Sequence, residues 1–122
     1  MIDLHASAIR AFLPSQDFEQ SRDFYVALGC AVKYEDHNLA LLDLNGNAFY
    51  LQRGYAREWA ENSMLHITVA DARACHEQIA ALLQGGQFGA ARVASPKQES
   101  YGALVTYVWD PCGVLLHLAE WQ

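Results

Sequence analysis

Two stretches of the chain repeat each other, and an internal repeat restricts a fold more tightly than composition does. An alternating run, Ala8-Ile9-Arg10-Ala11-Phe12-Leu13, leads into a segment where Phe18, Phe24, Tyr25 and Leu28 recur at helical spacing. Asp17 is placed to cap that helix, with Gln20 at the third helical position as in a capping box. Gly29 stands where a left-handed stop is needed. The pattern returns 54 residues later. Met64-Leu65-His66-Ile67-Thr68-Val69 alternates, Asp71 caps, Cys75, Ile79, Leu82 and Leu83 form the stripe, and Gly85-Gly86 ends it. Superposing Asp17 on Asp71 sets Arg10 on Met64, Phe12 on His66, Tyr25 on Ile79 and Leu28 on Leu82. Helices are predicted over about 18–28 and 72–83.

The segments after each helix repeat as well. Asp43-Leu44-Asn45-Gly46 and Asp110-Pro111-Cys112-Gly113 are both Asp-x-x-Gly turns between apolar runs, a hairpin signature. Four residues beyond each glycine come Tyr50-Leu51 and His117-Leu118. The second copy is longer by about 13 residues, which fall between Gln84 and Ser100 and read as a longer loop. The chain therefore divides into module one, about 5–54, and module two, about 63–122, within one domain. Each module reads as strand, helix, then three strands (βαβββ), with Arg57–Glu61 as a short helix between them. The fold class is α+β, two βαβββ modules whose eight strands form a curved, partly open sheet around a cavity.

Strand faces follow from parity. Ile9, Ala11 and Leu13 oppose Ala8, Arg10 and Phe12; Phe49 and Leu51 oppose Tyr50 and Gln52. Leu65, Ile67 and Val69 oppose Met64, His66 and Thr68, and Leu116 and Leu118 oppose Leu115, His117 and Ala119. One face of each strand is apolar and calls for a helix. The other mixes aromatics with Arg, Gln, Thr and His, the mixture that lines ligand cavities.

Charge narrows the function classes. Eight Lys and Arg against 14 Asp and Glu give a net charge of -6. That argues against nucleic acid and anionic membranes as partners, since both need a basic footprint. No apolar run spans a bilayer, and the first residues lack the pattern of a secretory signal. Three cysteines, Cys30, Cys75 and Cys112, contain no Cys-x-x-Cys pair. They fit reduced thiols in a cytoplasmic protein. There is no His-Glu-x-x-His, Gly-x-Ser-x-Gly, phosphate loop or dinucleotide fingerprint.

Leu13-Pro14-Ser15-Gln16-Asp17-Phe18, Phe24-Tyr25, Leu28-Gly29 and Asp110-Pro111-Cys112-Gly113 together resemble the vicinal oxygen chelate superfamily. This group comprises glyoxalases, bleomycin-resistance proteins and extradiol dioxygenases. The opening segment is most similar to bleomycin-resistance proteins, and Tyr50 to Asn62 resembles uncharacterised bacterial glyoxalase-like members. The resemblance implies paired βαβββ modules and leaves the activity open, because the fold hosts lyases, dioxygenases, thiol transferases and binding proteins.

Enzymes of the family carry His, Glu or Gln at four metal-binding positions, and the resemblance places these on Arg10, Tyr50, Met64 and His117. Only His117 is a ligand for a divalent metal there, with His66 nearby in register; a guanidinium repels the ion. No metal and no cofactor are therefore expected. The expected ligand-binding residues are Arg10, Phe12, Tyr50, Gln52, Trp59, Met64, His66, Tyr101 and His117. Each has a structural alternative: Arg10 in a salt bridge, the histidines as satisfied core residues, Trp59 in the core or an interface. The expected function is metal-free binding or sequestering of a small molecule, and the alternative is a diverged metal-dependent lyase or dioxygenase. A half-apolar sheet face also predicts a homodimer, with Tyr55, Trp59 and the first strand at the contact.

Overall fold

Both predicted caps form. Asp17 Oδ1 accepts the Gln20 N–H at 3.1 Å and Asp71 Oδ1 accepts that of Ala74 at 3.0 Å, in a computed structural model that describes all 122 residues. Helix α1 runs Phe18–Ala27, α2 Arg57–Glu61 and α3 Ala72–Leu83. Leu28 caps α1, and Gly29 follows at φ 112°, a conformation in which a side chain would be strained. The capping box is only half made. Gln20 Nε2 donates to the Gln87 carbonyl at 3.2 Å, tying α1 to the inserted stretch of module two.

The strands form two hydrogen-bonded sheets. Sheet A has the order β1 (Phe12–Ser15), β4 (Asn47–Arg53), β3 (Leu39–Leu44), β2 (Ala31–Glu35). Sheet B has β5 (Met64–Thr68), β9 (Leu115–Trp121) and β8 (Ala103–Trp109), with β6 (Arg92–Val93) and β7 (Lys97–Glu99) both on β8. In each sheet the opening strand lies parallel to the closing one, with Phe12 opposite Tyr50 and His66 opposite His117. The repeat seen in the sequence is thus a repeat of topology. The strand count is nine rather than eight. The inserted residues are not all loop, because β8 exposes an edge that β6 and β7 pair with.

The turns repeat in chemistry but differ in shape. Asn45 and Gly46 both have positive φ, 51° and 91°, as a two-residue hairpin requires. Asp43 Oδ2 accepts the Gly46 N–H there at 3.0 Å. In the second turn Asp110 Oδ1 accepts three N–H groups, from Cys112, Gly113 and Val114, at 2.8 to 3.0 Å.

The parity assignment holds for both sheets. Leu13, Phe49, Leu51, Leu116 and Leu118 lie in one core with Phe18, Phe24, Tyr25 and Ile79 from the helices, and Leu65 and Ile67 pack against it. The first strand is where prediction and structure part. Ile9 is 94% exposed, and residues 1–11 lie outside any strand. The Ala11 carbonyl accepts the Tyr50 N–H at 2.9 Å, and before that rung the chain leaves the sheet. Met1, Ile2, Leu4 and Ile9 are all exposed, an apolar arm with no surface beneath it in its own chain.

Candidate functional site

With the inner faces of both sheets joined in one core, their outer faces carry the residues of interest. On sheet B the parallel register sets His66 beside His117, ring centroids 5.7 Å apart. Trp121 lies 5.6 Å from His66 on one side and 5.6 Å from Tyr101 on the other. Tyr107, opposite His117 on β8, meets its ring edge-on at 5.0 Å. Met64 Sδ approaches His117 Nε2 at 3.3 Å. Polar tethers fix the aromatic rings at the rim: Trp121 Nε1 donates to Thr68 Oγ1 at 3.0 Å, and Tyr107 Oη donates to Glu99 Oε1 at 3.0 Å.

These neighbours set the protonation states. Partial burial and the adjacent His66 lower the pKa of His117, against a weaker opposing pull from Glu99. His117 is therefore neutral at pH 7, with a lone pair available. Burial and the hydrogen bond to Glu99 push the Tyr107 hydroxyl up to about 12, so it remains a donor.

Sheet A presents a smaller platform. Phe12 and Tyr50, directly opposite in register, stack at 4.7 Å and 16°. The Arg10 guanidinium lies 6.0 Å from the Tyr50 ring centroid. Arg10 is not on a half-buried strand; it belongs to the exposed arm and makes no salt bridge. Gln52 is half-buried two residues along from Tyr50, opposite Leu39. Trp59 is half-buried on α2, and its ring joins neither platform.

The nine expected residues thus separate into Met64, His66, Tyr101 and His117 on sheet B, and Arg10, Phe12, Tyr50 and Gln52 near sheet A, with Trp59 apart. No ring contact or hydrogen bond within the chain links the two platforms. Tyr107, Trp121, Glu99 and Thr68 were missed by the sequence reading. Trp121 shares the parity of His117 and could have been found by extending that strand; Tyr107 and Glu99 needed the β8 register. A cavity of ≈ 610 Å³ lies elsewhere, between the modules on the helix side, lined by Leu28, Leu44, Ile67, Cys75, Ile79 and Leu82 among others. None of the expected site residues lines it.

The fold family implies a divalent metal in its enzymes, and the donors here do not fit one. Tyr50 stands on sheet A with Arg10 near it on the arm, Met64 and His117 stand on sheet B, and no group of three His, Cys, Asp or Glu gathers anywhere in the chain. A hard or borderline dication needs carboxylates or several imidazoles to offset its charge.

Neither a protein-family model nor a curated protein matches the sequence. Solved structures do match. The bleomycin-binding protein from Streptomyces verticillus, complexed with copper(II)-bleomycin, superposes with a TM-score of 0.78 at 21% identity, covering 100% of both chains. TnmS3, an antibiotic-binding protein from Streptomyces sp. CB03234, gives 0.75 at 19% identity, covering 98% of this chain and 100% of that one. A lactoylglutathione lyase from Agrobacterium tumefaciens gives 0.66 at 14% identity, covering 94% of each. Binding proteins and a lyase share this architecture, so the likeness speaks to fold and not to activity. The paired βαβββ modules, with each opening strand parallel to the closing one, give this chain the same fold as these proteins, in agreement with the sequence resemblance.

Proposed function

We propose that this protein is a single-domain binder of a small, flat, polar-edged molecule, sequestering it without a divalent metal. The observation that carries the reading is the outer face of sheet B. There His66, His117, Trp121, Tyr101 and Tyr107 form a contiguous aromatic surface open to solvent, with Tyr101 and Trp121 half exposed. Aromatic faces stack on conjugated ligands, while the imidazoles and the Tyr107 hydroxyl supply orienting hydrogen bonds. The similar structures that bind bleomycin or another antibiotic support this class of ligand.

The binding site is completed in a homodimer. No ring contact or hydrogen bond joins the two platforms within one chain, so in this reading a second copy sets the Phe12–Tyr50 stack over the His66–Trp121 face. A two-fold axis then generates two equal clefts. The apolar arm of residues 1–11, with Ile2, Leu4 and Ile9 exposed, supports an exchange of arms across that axis. Arg10, next to the Ala11–Tyr50 rung where the arm leaves the sheet, lies 6.0 Å from the Tyr50 ring and stands at the cleft wall. Tyr55, 44% exposed, and Trp59 flank the same edge. Three free cysteines support a reducing, cytoplasmic setting, and no helix is long and apolar enough to cross a membrane.

Titration with metal-free bleomycin and a panel of aromatic antibiotics, followed by calorimetry and tryptophan fluorescence, tests the reading. One ligand should bind per chain at saturation, with quenching lost in Trp121→Phe and affinity unchanged by chelator. A panel that produces no saturable binding at millimolar ligand would contradict it.

A further inference from the structure

We infer that Met64, His66 and His117 form a binding site for a soft monovalent cation, copper(I), on the outer face of sheet B. The donors that exclude a divalent ion are a thioether and two imidazoles, and these are ligands that soft, low-charge ions prefer. A monovalent d10 ion needs no carboxylate to offset its charge and accepts two or three ligands.

The geometry is close to that of a loaded site. Met64 Sδ and His117 Nε2 are 3.3 Å apart. Two donors of one ion, at about 2.3 Å for sulfur and about 2.0 Å for nitrogen, stand about 3.3–3.7 Å from each other. The third donor is in place by register. His66 is paired with His117 across the parallel ladder, its ring centroid 5.7 Å away, and its imidazole has no hydrogen-bond partner in the chain. His66 would complete the site by turning one ring nitrogen towards the same point.

The surroundings suit the ion. Trp121 packs beside His66 and Tyr107 edge-on to His117, which limits the ring orientations as outer-shell groups do at metal sites. Met64 is 61% exposed, which gives the ion a route in. The inference shares a face with the proposed ligand cleft but does not depend on that function, because it requires only one chain and no organic ligand.

The test uses the full-length protein, labelled with 13C at the methionine methyl groups and titrated anaerobically with copper(I) held by a competing chelator. The chain has two methionines, and Met1 serves as the internal control. One equivalent of copper(I) should shift the Met64 methyl and the His66 and His117 ring signals, leaving Met1 unmoved. Met64→Leu and His117→Ala should each weaken copper(I) binding by at least about tenfold, and both should weaken silver(I) binding in parallel. Neither variant should alter zinc binding appreciably. Copper(I) taken up with the Met64 methyl unmoved would mean ligation by the free Cys75 or Cys112 thiols and would overturn the inference. So would uptake that is equal in the wild type and Met64→Leu, a solvent-exposed change with little effect on folding. Antibiotic binding is scored separately on metal-free protein, so failure of one reading is not failure of the other.

Discussion

Tyr25 and Asp110, 85 residues apart in sequence, meet in the core where the Tyr25 hydroxyl donates to Asp110 Oδ2 at 2.7 Å. Both are buried, and the other carboxylate oxygen is occupied by three backbone N–H groups of the β8–β9 turn. One side chain from the first module's helix thereby fixes the turn that launches β9 of the second, the strand carrying His117. Tyr25→Phe leaves Asp110 Oδ2 without its partner in a buried setting. It should cost about 1–3 kcal/mol, read as a lower urea midpoint with an unchanged slope. Asp110→Ala, which frees three N–H groups as well, should cost more.

The lowered pKa of His117 has a definite sign in stability. Its folded pKa lies below the unfolded value of 6.5, so the unfolded chain takes up the proton first as the solution is acidified. The contribution is fully present above pH 6.5 and is lost as pH falls through the folded pKa. Urea midpoints measured from pH 7.5 to 5 should decline more steeply in the wild type than in His117→Gln. A pH dependence identical in both would contradict the assignment.

Divalent metal should not matter. Nickel, zinc or manganese at one equivalent should leave the melting temperature unchanged, and chelator should leave ligand affinity unchanged. Metal analysis returning about one tightly held divalent ion per chain, lost in His117→Ala, would instead favour an enzyme of the lyase or dioxygenase type.

Deletion of residues 1–10 tests the role of the arm. These residues are exposed and contribute nothing to the core of their own chain. The truncated protein should keep its circular dichroism spectrum while light scattering falls from dimer to monomer. A dimer that persists would place the interface elsewhere.

Much of this architecture is legible in the residues. Asp17 and Asp71 cap helices because a carboxylate next to the first free N–H groups can do little else there, and Asn45-Gly46 specifies its own turn. Parity sorted Leu65 from His66 and Leu116 from His117, since a strand must turn alternate residues to opposite faces. Those rules are local. The end of β1 at Phe12 was not legible, because Ala8 to Ala11 alternates like a strand yet leaves the sheet, and only packing decides that. Tyr107 and Glu99 were missed for a related reason: their place beside His117 depends on the β8–β9 and β7–β8 registers, set by residues far along the chain.

The central claim, a cleft shared between two copies, is tested most directly by subunit mixing. One variant, Phe12→Ala with Tyr50→Ala, removes the sheet A platform; a second, His66→Ala with Trp121→Ala, removes that of sheet B. Each alone should fail to bind ligand. Denatured and refolded together in equal amounts, half of the dimers are mixed, and each mixed dimer regains one intact cleft, giving about one site for every four chains. Calorimetry should find that stoichiometry at wild-type affinity. A refolded mixture that remains dimeric but binds no ligand, while the wild type binds, would place the site within one chain and contradict the account.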